Sequence, residues 1–400
     1  RTHTSADDNR TTEGCERPKA TGPTLSSQLE ASLKVNHFNG NACAASGRFW
    51  EDLLERFRLP YLLLRVADMR MTLGSRTTAL PLYEEVQSIK QVTQRPQLQT
   101  ILQDPSLATW IQQTSSDIQS DLQRQLHAYN TVVVFTPSQH WRSTAQLDGR
   151  FPYCRLQRAQ IDLLQNQWTN MCPPEVILAR CLNLHCLETN AIEGIFQFDP
   201  SAITRLVLNG FYDLEVELID ERNIVRGVVR NCAHALSILR DTHEALNEML
   251  TLVQWNDLDL TVETICRLHK TLMRTSRVLS IDAAHGHRLQ HLNIGVTRQV
   301  SQVNVTATSQ DQSIKIQFCP YDKVDAELAT FCERFNVQML ASTPLLKKRL
   351  PLLCVPSFFK PGYLLQLNNI RANRDGDYQR LMTVLYDGTR ASLDLLEAIN

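Results

Sequence analysis

Three groups of residues have the types and spacing from which chemistry is usually built. Cys181, His185 and Cys186 supply thiol and imidazole ligands on one short stretch, but a tetrahedral zinc site needs a fourth group, and no second pair lies at a standard spacing. Their simpler role is as half-buried helix residues. His285, His287 and His291 form H-x-H-x-x-x-H after Asp282. That set would grip zinc or copper if a carboxylate joined it, and would then support a metal-assisted hydrolysis. Read without a metal, it is a solvated His-rich loop. His37-Phe38-Asn39-Gly40-Asn41 pairs a histidine with Gly-Asn, but it sits in a polar stretch that nothing would preorganise. No G-x-S-x-G occurs, so a nucleophile elbow is absent from the sequence. The sharpest local signature is Leu187-Glu188-Thr189-Asn190-Ala191-Ile192-Glu193-Gly194. It ends a helix with Gly194 in the usual stop position and sets Thr189 and Glu193 one turn apart on the same face.

Composition removes several classes of function. Forty-one Lys and Arg against 42 Asp and Glu leave a net charge of -1, without the basic surplus that neutralises a phosphate backbone. No nucleic-acid partner is expected. No apolar run approaches the ~18 to 20 residues that a membrane-spanning helix needs, so no membrane partner is expected either. Eleven cysteines, without a C-x-x-C pair, look like reduced thiols and point to cytoplasm or nucleus. The sequence opens on Arg1 and shows no signal peptide in the residues given. Among 14 glycines there is neither G-x-G-x-x-G nor G-x-x-x-x-G-K, which removes the dinucleotide and P-loop phosphate cradles.

The elements that must position these residues are mostly helices. Residues 1–47 are polar and poor in large apolar side chains, and are expected to be a disordered tail. From Phe49 the pattern is helical, and Pro60, Pro81, Pro96 and Pro105 are expected to cut it into short helices. Thr131 to Thr136 is a β-branched run that reads as a strand, and Cys172-Pro173-Pro174-Glu175 reads as a loop feeding a helix. Val225, Val229, Cys232, Leu236, Leu239, Leu246, Leu250 and Val253 recur at three and four, predicting one long helix from Ile224 to Val253. Thr261 caps the next, with Glu263 in its first turn and Ile265, Leu268, Leu272 and Met273 on one side. Val303, Val305 and Thr308, then Ile314, Ile316 and Phe318, alternate on either side of a turn and predict a β-hairpin. Val324, Leu328, Phe331, Cys332, Phe335 and Met339 restore helical spacing, with Asp325 at the start.

In this order the chain resembles the Fic (Fido) family. Thr189-x-x-x-Glu193-Gly194 is similar to that family's inhibitory-helix motif. The long helix, Leu260-Thr261 with Leu268-His269, Gly295-x-x-Arg298, and Gln317-Phe318-Cys319-Pro320-Tyr321 of the hairpin follow in the family's sequence. Tyr363 to Asn369 and Asn373-Arg374-Asp375-Gly376-Asp377-Tyr378 resemble its closing helices, so the likeness spans about Trp168 to Asn400. The resemblance implies transfer of AMP from ATP to a protein hydroxyl, with magnesium, and a hairpin flap that docks the target segment. The departure is large: active members carry His-Pro-Phe-x-[Asp/Glu]-Gly-Asn-Gly-Arg, and no histidine here precedes a proline. Phe335-Asn336 runs almost directly into Leu340 to Leu346, as if the sequence were spliced across that motif.

The fold expected is therefore mainly α: a Fic-like helical core with a hairpin flap, preceded by a helical extension and the tail. The division expected is 48–172 for the extension, 173–258 for the inhibitory-type and connecting helices, and 259–400 for the core, deleted near 337–343. Thr189, Glu193 and Gly194 are the inhibitory-type residues, and Gly295, Arg298, Val303, Asn304 and Val305 belong to the flap. No catalytic residue and no metal ligand is assigned. ATP and magnesium enter by resemblance only, and the chain as given is expected to be an inactive transferase-like protein, a pseudoenzyme or truncated isoform. The deletion should also leave apolar surface on Leu268 and Phe335 uncovered. The alternative function is an interaction module whose flap adds a strand to an extended peptide of an unidentified target protein.

Overall fold

The computed structural model describes residues 40–89, 105–131, 137–144, 156–171, 174–212, 218–255, 260–283, 286–308, 314–341, 350–372 and 378–399. In chain order these form helices α1 (Gly40–Arg56), α2 (Pro60–Thr72), α3 (Arg76–Ser88), α4 (Pro105–Thr131), α5 (Arg158–Asn170) and α6 (Pro174–Glu193). Strand β1 (Phe196–Phe198), α7 (Pro200–Asn209), β2 (Ile224–Gly227), α8 (Cys232–Trp255), α9 (Val262–Leu272), β3 (Val278–Ala283) and β4 (Gly286–His291) follow. The chain closes with α10 (Arg298–Ser301), β5 (Thr306–Thr308), β6 (Lys315–Gln317), α11 (Val324–Ala341), α12 (Lys360–Ala372) and α13 (Tyr378–Ile399). The fold is mainly helical, and the strands pair antiparallel as β1–β2, β3–β4 and β5–β6. No helix among the described residues is long and apolar enough to cross a membrane.

Two compact units result, one drawn from Arg1–Trp141 and Ser276–Asp325, the other from Arg142–Thr275 and Ala326–Asn400. Both are discontinuous in sequence. In the first unit α1 to α4 bury Trp50, Leu63, Leu64, Val66 and Tyr83 in one core. Below that core lies a charged cluster: Arg70 grips Glu51 at 2.8 and 2.7 Å, His291 Nε2 meets Glu51 at 2.9 Å, and Arg277 Nη2 donates to Glu55 at 2.6 Å. The second unit packs Ile177, Leu184, Phe196, Phe211, Leu239, Leu393 and Leu396 together.

Local chemistry explains most element ends. Pro60 and Pro105 occupy the first positions of α2 and α4, where a missing N–H costs nothing. Pro81, expected to be a break, lies inside α3 as its sixth residue, where it forfeits the helical bond to the Thr77 carbonyl without ending the helix. Asp199 caps α7 by accepting from the Ala202 amide at 2.9 Å, and Thr261 caps α9 from the Thr264 amide at 3.1 Å, as its sequence position predicts.

Three expectations are corrected. The helix predicted from Ile224 begins only at Cys232, after β2, because Gly227 has φ +124° and Asn231 caps the helix through the His234 amide at 2.9 Å. Gly40 to Gly47, placed in the disordered tail, belong to α1. The His-rich segment read as a loop is strand β4, whose His287 lies opposite Asp282. Residues 1–39 and most of the Thr131 to Thr136 run lie outside the described residues.

Candidate functional site

Helix α6 carries the first candidate group. Its inner face is fixed by Cys181, Leu184 and Cys186, all buried, and by Asn190, whose amide donates to the Cys186 carbonyl at 2.9 Å and to Thr242 Oγ1 of α8 at 3.2 Å. The helix ends in a Schellman motif: Ile195 N–H bonds the Asn190 carbonyl at 2.9 Å and Gly194 N–H the Ala191 carbonyl at 3.1 Å. Gly194 takes φ +75° to make this turn, Glu193 is exposed at the cap, and Thr189 is half-buried. Two contacts with the chain around α12 seal the end. Lys360 Nζ donates to the Ile192 carbonyl, and the buried Glu188 carboxylate accepts the Ser357 amide at 2.6 Å.

Gly194 is thus explained by backbone geometry alone. A methyl group there would meet nothing within 4 Å, so Gly194→Ala should cost only the left-handed conformation, about 1 kcal/mol in urea unfolding. Glu193→Ala should stay within about 0.5 kcal/mol of the parent. A larger loss for Glu193→Ala would give that carboxylate a structural partner it does not show.

The metal-ligand candidates separate. Burial pushes the Cys181 and Cys186 thiols well above their usual range, Cys354 is pushed up to about 12, and burial lowers His185. His291 is engaged by Glu51, and His285 lies outside the described residues. Of His37 to Asn41, only Gly40 and Asn41 are described, as the opening of α1. Among the described residues no three His, Cys, Asp or Glu side chains converge on a point that could hold a metal.

The second candidate group lies in the other compact unit. Gly295 turns at φ +69°, α10 opens at Arg298, and Arg298 Nη1 donates to the Val303 carbonyl at 3.4 Å. Asn304 Oδ1 accepts the Tyr321 amide at 3.0 Å, and the Val305 carbonyl accepts from Phe318 at 3.3 Å. The hairpin follows with Thr306 opposite Gln317, Ala307 opposite Ile316 and Thr308 opposite Lys315. It is shorter than the alternation suggested, since Val303 and Val305 precede the first paired strand residue.

Sequence reasoning missed what lies on the far side of β6. An extended segment, Ser138 to Trp141, runs beside it, with Gln139 bridging Ile316 in parallel. Gln139 N–H donates to the Lys315 carbonyl at 3.0 Å and its carbonyl accepts from Gln317 N–H at 2.9 Å. The Trp141 amide reaches Gln317 Oε1 at 3.3 Å, and Lys323 Nζ stands 5.2 Å from the Trp141 ring centroid. The β-branched run just before Ser138 is the only nearby signal that an extended segment was due.

Helix α11 runs unbroken to Ala341, which takes in the described part of the stretch around 337–343, and helical N–H groups there serve their own i−4 carbonyls. Asn336 of α11 braces the start of α9, accepting from Leu260 N–H at 2.8 Å and donating to its carbonyl at 2.9 Å. No residue of α9 is buried: Ile265 and Leu268 are half-buried and Leu272 is 37% exposed. Nothing is described of the Phe335 side chain.

No family model matches the sequence, and no curated protein matches it. Among solved structures the chain is similar to C. elegans Fic-1 at 10% identity, covering 95% of this chain and 100% of that one, with a TM-score of 0.32. A likeness at that level carries no argument, and the functional reading rests on this chain's own residues.

Proposed function

We propose that this chain is a Fic-type protein without AMP transfer, whose β5–β6 hairpin captures an extended protein segment by adding it as a strand. The observation that carries the reading is that β6 already accepts such a segment, Ser138 to Trp141, along its outer edge. An edge strand offers unpaired N–H and C=O groups at fixed spacing, which give affinity to any extended backbone, while side-chain contacts give selectivity. The Fic lineage is supported by the order of motifs from Thr189 to Tyr378. The missing His-Pro-Phe to Arg segment removes the base, the magnesium-holding acid and the phosphate cradle, so no nucleotide step is assigned. Glu193, which in that family restrains ATP, has no such task here.

Two measurements test this. Incubated with α-labelled ATP, magnesium and a protein extract, the purified chain should label nothing; label that depends on the chain would restore an enzyme. In a display selection on the full chain, extended peptides should be enriched, and Gln317→Pro should abolish the enrichment. That substitution removes the outward N–H of β6 and is tolerable on an edge strand. Enrichment that survives it would place capture elsewhere.

A further inference from the structure

We infer that the outer edge of β6 selects peptides of the form hydroxyl residue, any residue, any residue, aromatic, bound parallel to β6, and that Ser138 to Trp141 is the resident occupant a partner displaces. The inference rests on the peptide-capture reading above and adds the partner's chemistry.

The resident segment shows what each position requires. At the first, Ser138 Oγ accepts the Lys315 N–H at 2.8 Å and meets the Lys315 carbonyl at 3.3 Å, while the Ser138 N–H also reaches that carbonyl, at 2.9 Å. A hydroxyl both donates and accepts there, so Ser or Thr fits and Ala does not. The second position uses only its backbone, through the two rungs of a parallel ladder that Gln139 makes with Lys315 and Gln317. Its side chain fits badly: Gln139 Oε1 is buried without a hydrogen-bond partner, a cost that the resident segment bears and a ligand need not. His140 is exposed and imposes nothing. At the fourth position Lys323 faces the Trp141 ring, and Gln317 Oε1 takes the Trp141 N–H. A segment tethered in the same chain enjoys a high effective concentration, so an imperfect occupant can hold the edge and still yield to a better one.

The test uses the full chain and a fluorescein-labelled peptide with the sequence of residues 136–144. Ser138→Pro with Gln139→Pro removes both resident N–H donors to Lys315 and vacates the edge. The peptide should bind this variant at least ~10-fold more tightly than the parent chain, as relief from a tethered competitor predicts. Adding Gln317→Pro should remove that binding. Peptides with Ala for the serine or for the tryptophan should each bind about threefold more weakly or worse. Equal affinity for parent and vacated chains overturns the inference, as does indifference to both alanine changes. A concentration-dependent dimer of the parent chain, lost in the vacated variant, also overturns it, since a second copy would then supply the segment. Should the vacated variant not fold, Gln139→Met serves: removing the unpaired carbonyl should slow hydrogen exchange at the Gln317 amide, and unchanged exchange counts against the resident role. If selected peptides lack the hydroxyl and aromatic residues yet depend on Gln317, this inference fails while the proposed function stands; if no peptide binds either chain, both fail.

Discussion

Glu51→Ala should be among the most damaging single substitutions in the first compact unit, lowering stability by about 3–5 kcal/mol. The Glu51 carboxylate is 3% exposed and faces three nitrogen-bearing side chains: Arg70 in a two-toothed grip, His291 at 2.9 Å, and Arg277 Nη1 at 4.0 Å. Removing it leaves the Arg277 side chain, 4% exposed, with only Asp52 and Glu55 beside it, and leaves Arg70 without its carboxylate. Burial alone would raise the Glu51 pKa, but hydrogen bonds and charge from Arg70 and His291 outweigh it and bring the carboxyl from 4.5 to about 2. The sign follows from that depression. The contribution is fully present above about pH 4.5 and is lost as the pH falls through 2, and a shift of this size corresponds to about 3 kcal/mol. Thermal unfolding followed by circular dichroism should therefore show the parent weakening between pH 4.5 and pH 2, while Glu51→Ala starts lower and loses less over that range. At neutral pH the midpoint should fall by roughly 10 °C. A fall of only a degree or two would mean that water already shares the cluster.

That cluster also shows where sequence reading stops. Glu51 and His291 stand 240 residues apart, and neither type nor spacing announces the pair. His291 was conspicuous as part of H-x-H-x-x-x-H, yet its task is to hold a carboxylate. What was legible is what is decided locally. The Thr261 cap, the Gly194 helix stop, the proline starts at Pro60 and Pro174, and the alternation around Ile316 each depend on a few neighbouring residues, and each stands where it was expected. The strand edge of the candidate site was not legible, because its occupant comes from 177 residues upstream of Lys315. The misread helix at Ile224 has a different cause. Val225 and Val229 continue the three-and-four spacing of α8 by coincidence, and that pattern outweighed the two residues that contradict it, Gly227 and Asn231.

Gly227 yields the second large effect. Its φ of +124° is open to glycine and strained for any L side chain, as at Gly194, but the surroundings differ. A Cβ at Gly227 would stand 2.4 Å from the Ile195 carbonyl oxygen and 2.4 Å from the Phe196 Cα, both backbone atoms that cannot swing aside. The close approach is produced by the antiparallel pairing of Gly227 with Phe196 and by the next two residues, whose amides bond Gly194 and Ile195 at 3.3 and 2.9 Å. To admit a methyl group, β1 and β2 must part just beyond the end of α6, and Phe196, fully buried, must shift in the core. Strain and overpacking then add, so Gly227→Ala should cost on the order of 3 kcal/mol or more, against about 1 for Gly194→Ala. Urea unfolding of the two variants side by side sets them against each other: both put an L side chain at positive φ, Gly194 at +75° and Gly227 at the more restrictive +124°, and only Gly227 also carries the clash. Equal losses would mean that the strands open without resistance and that β1–β2 does little to hold the end of α6.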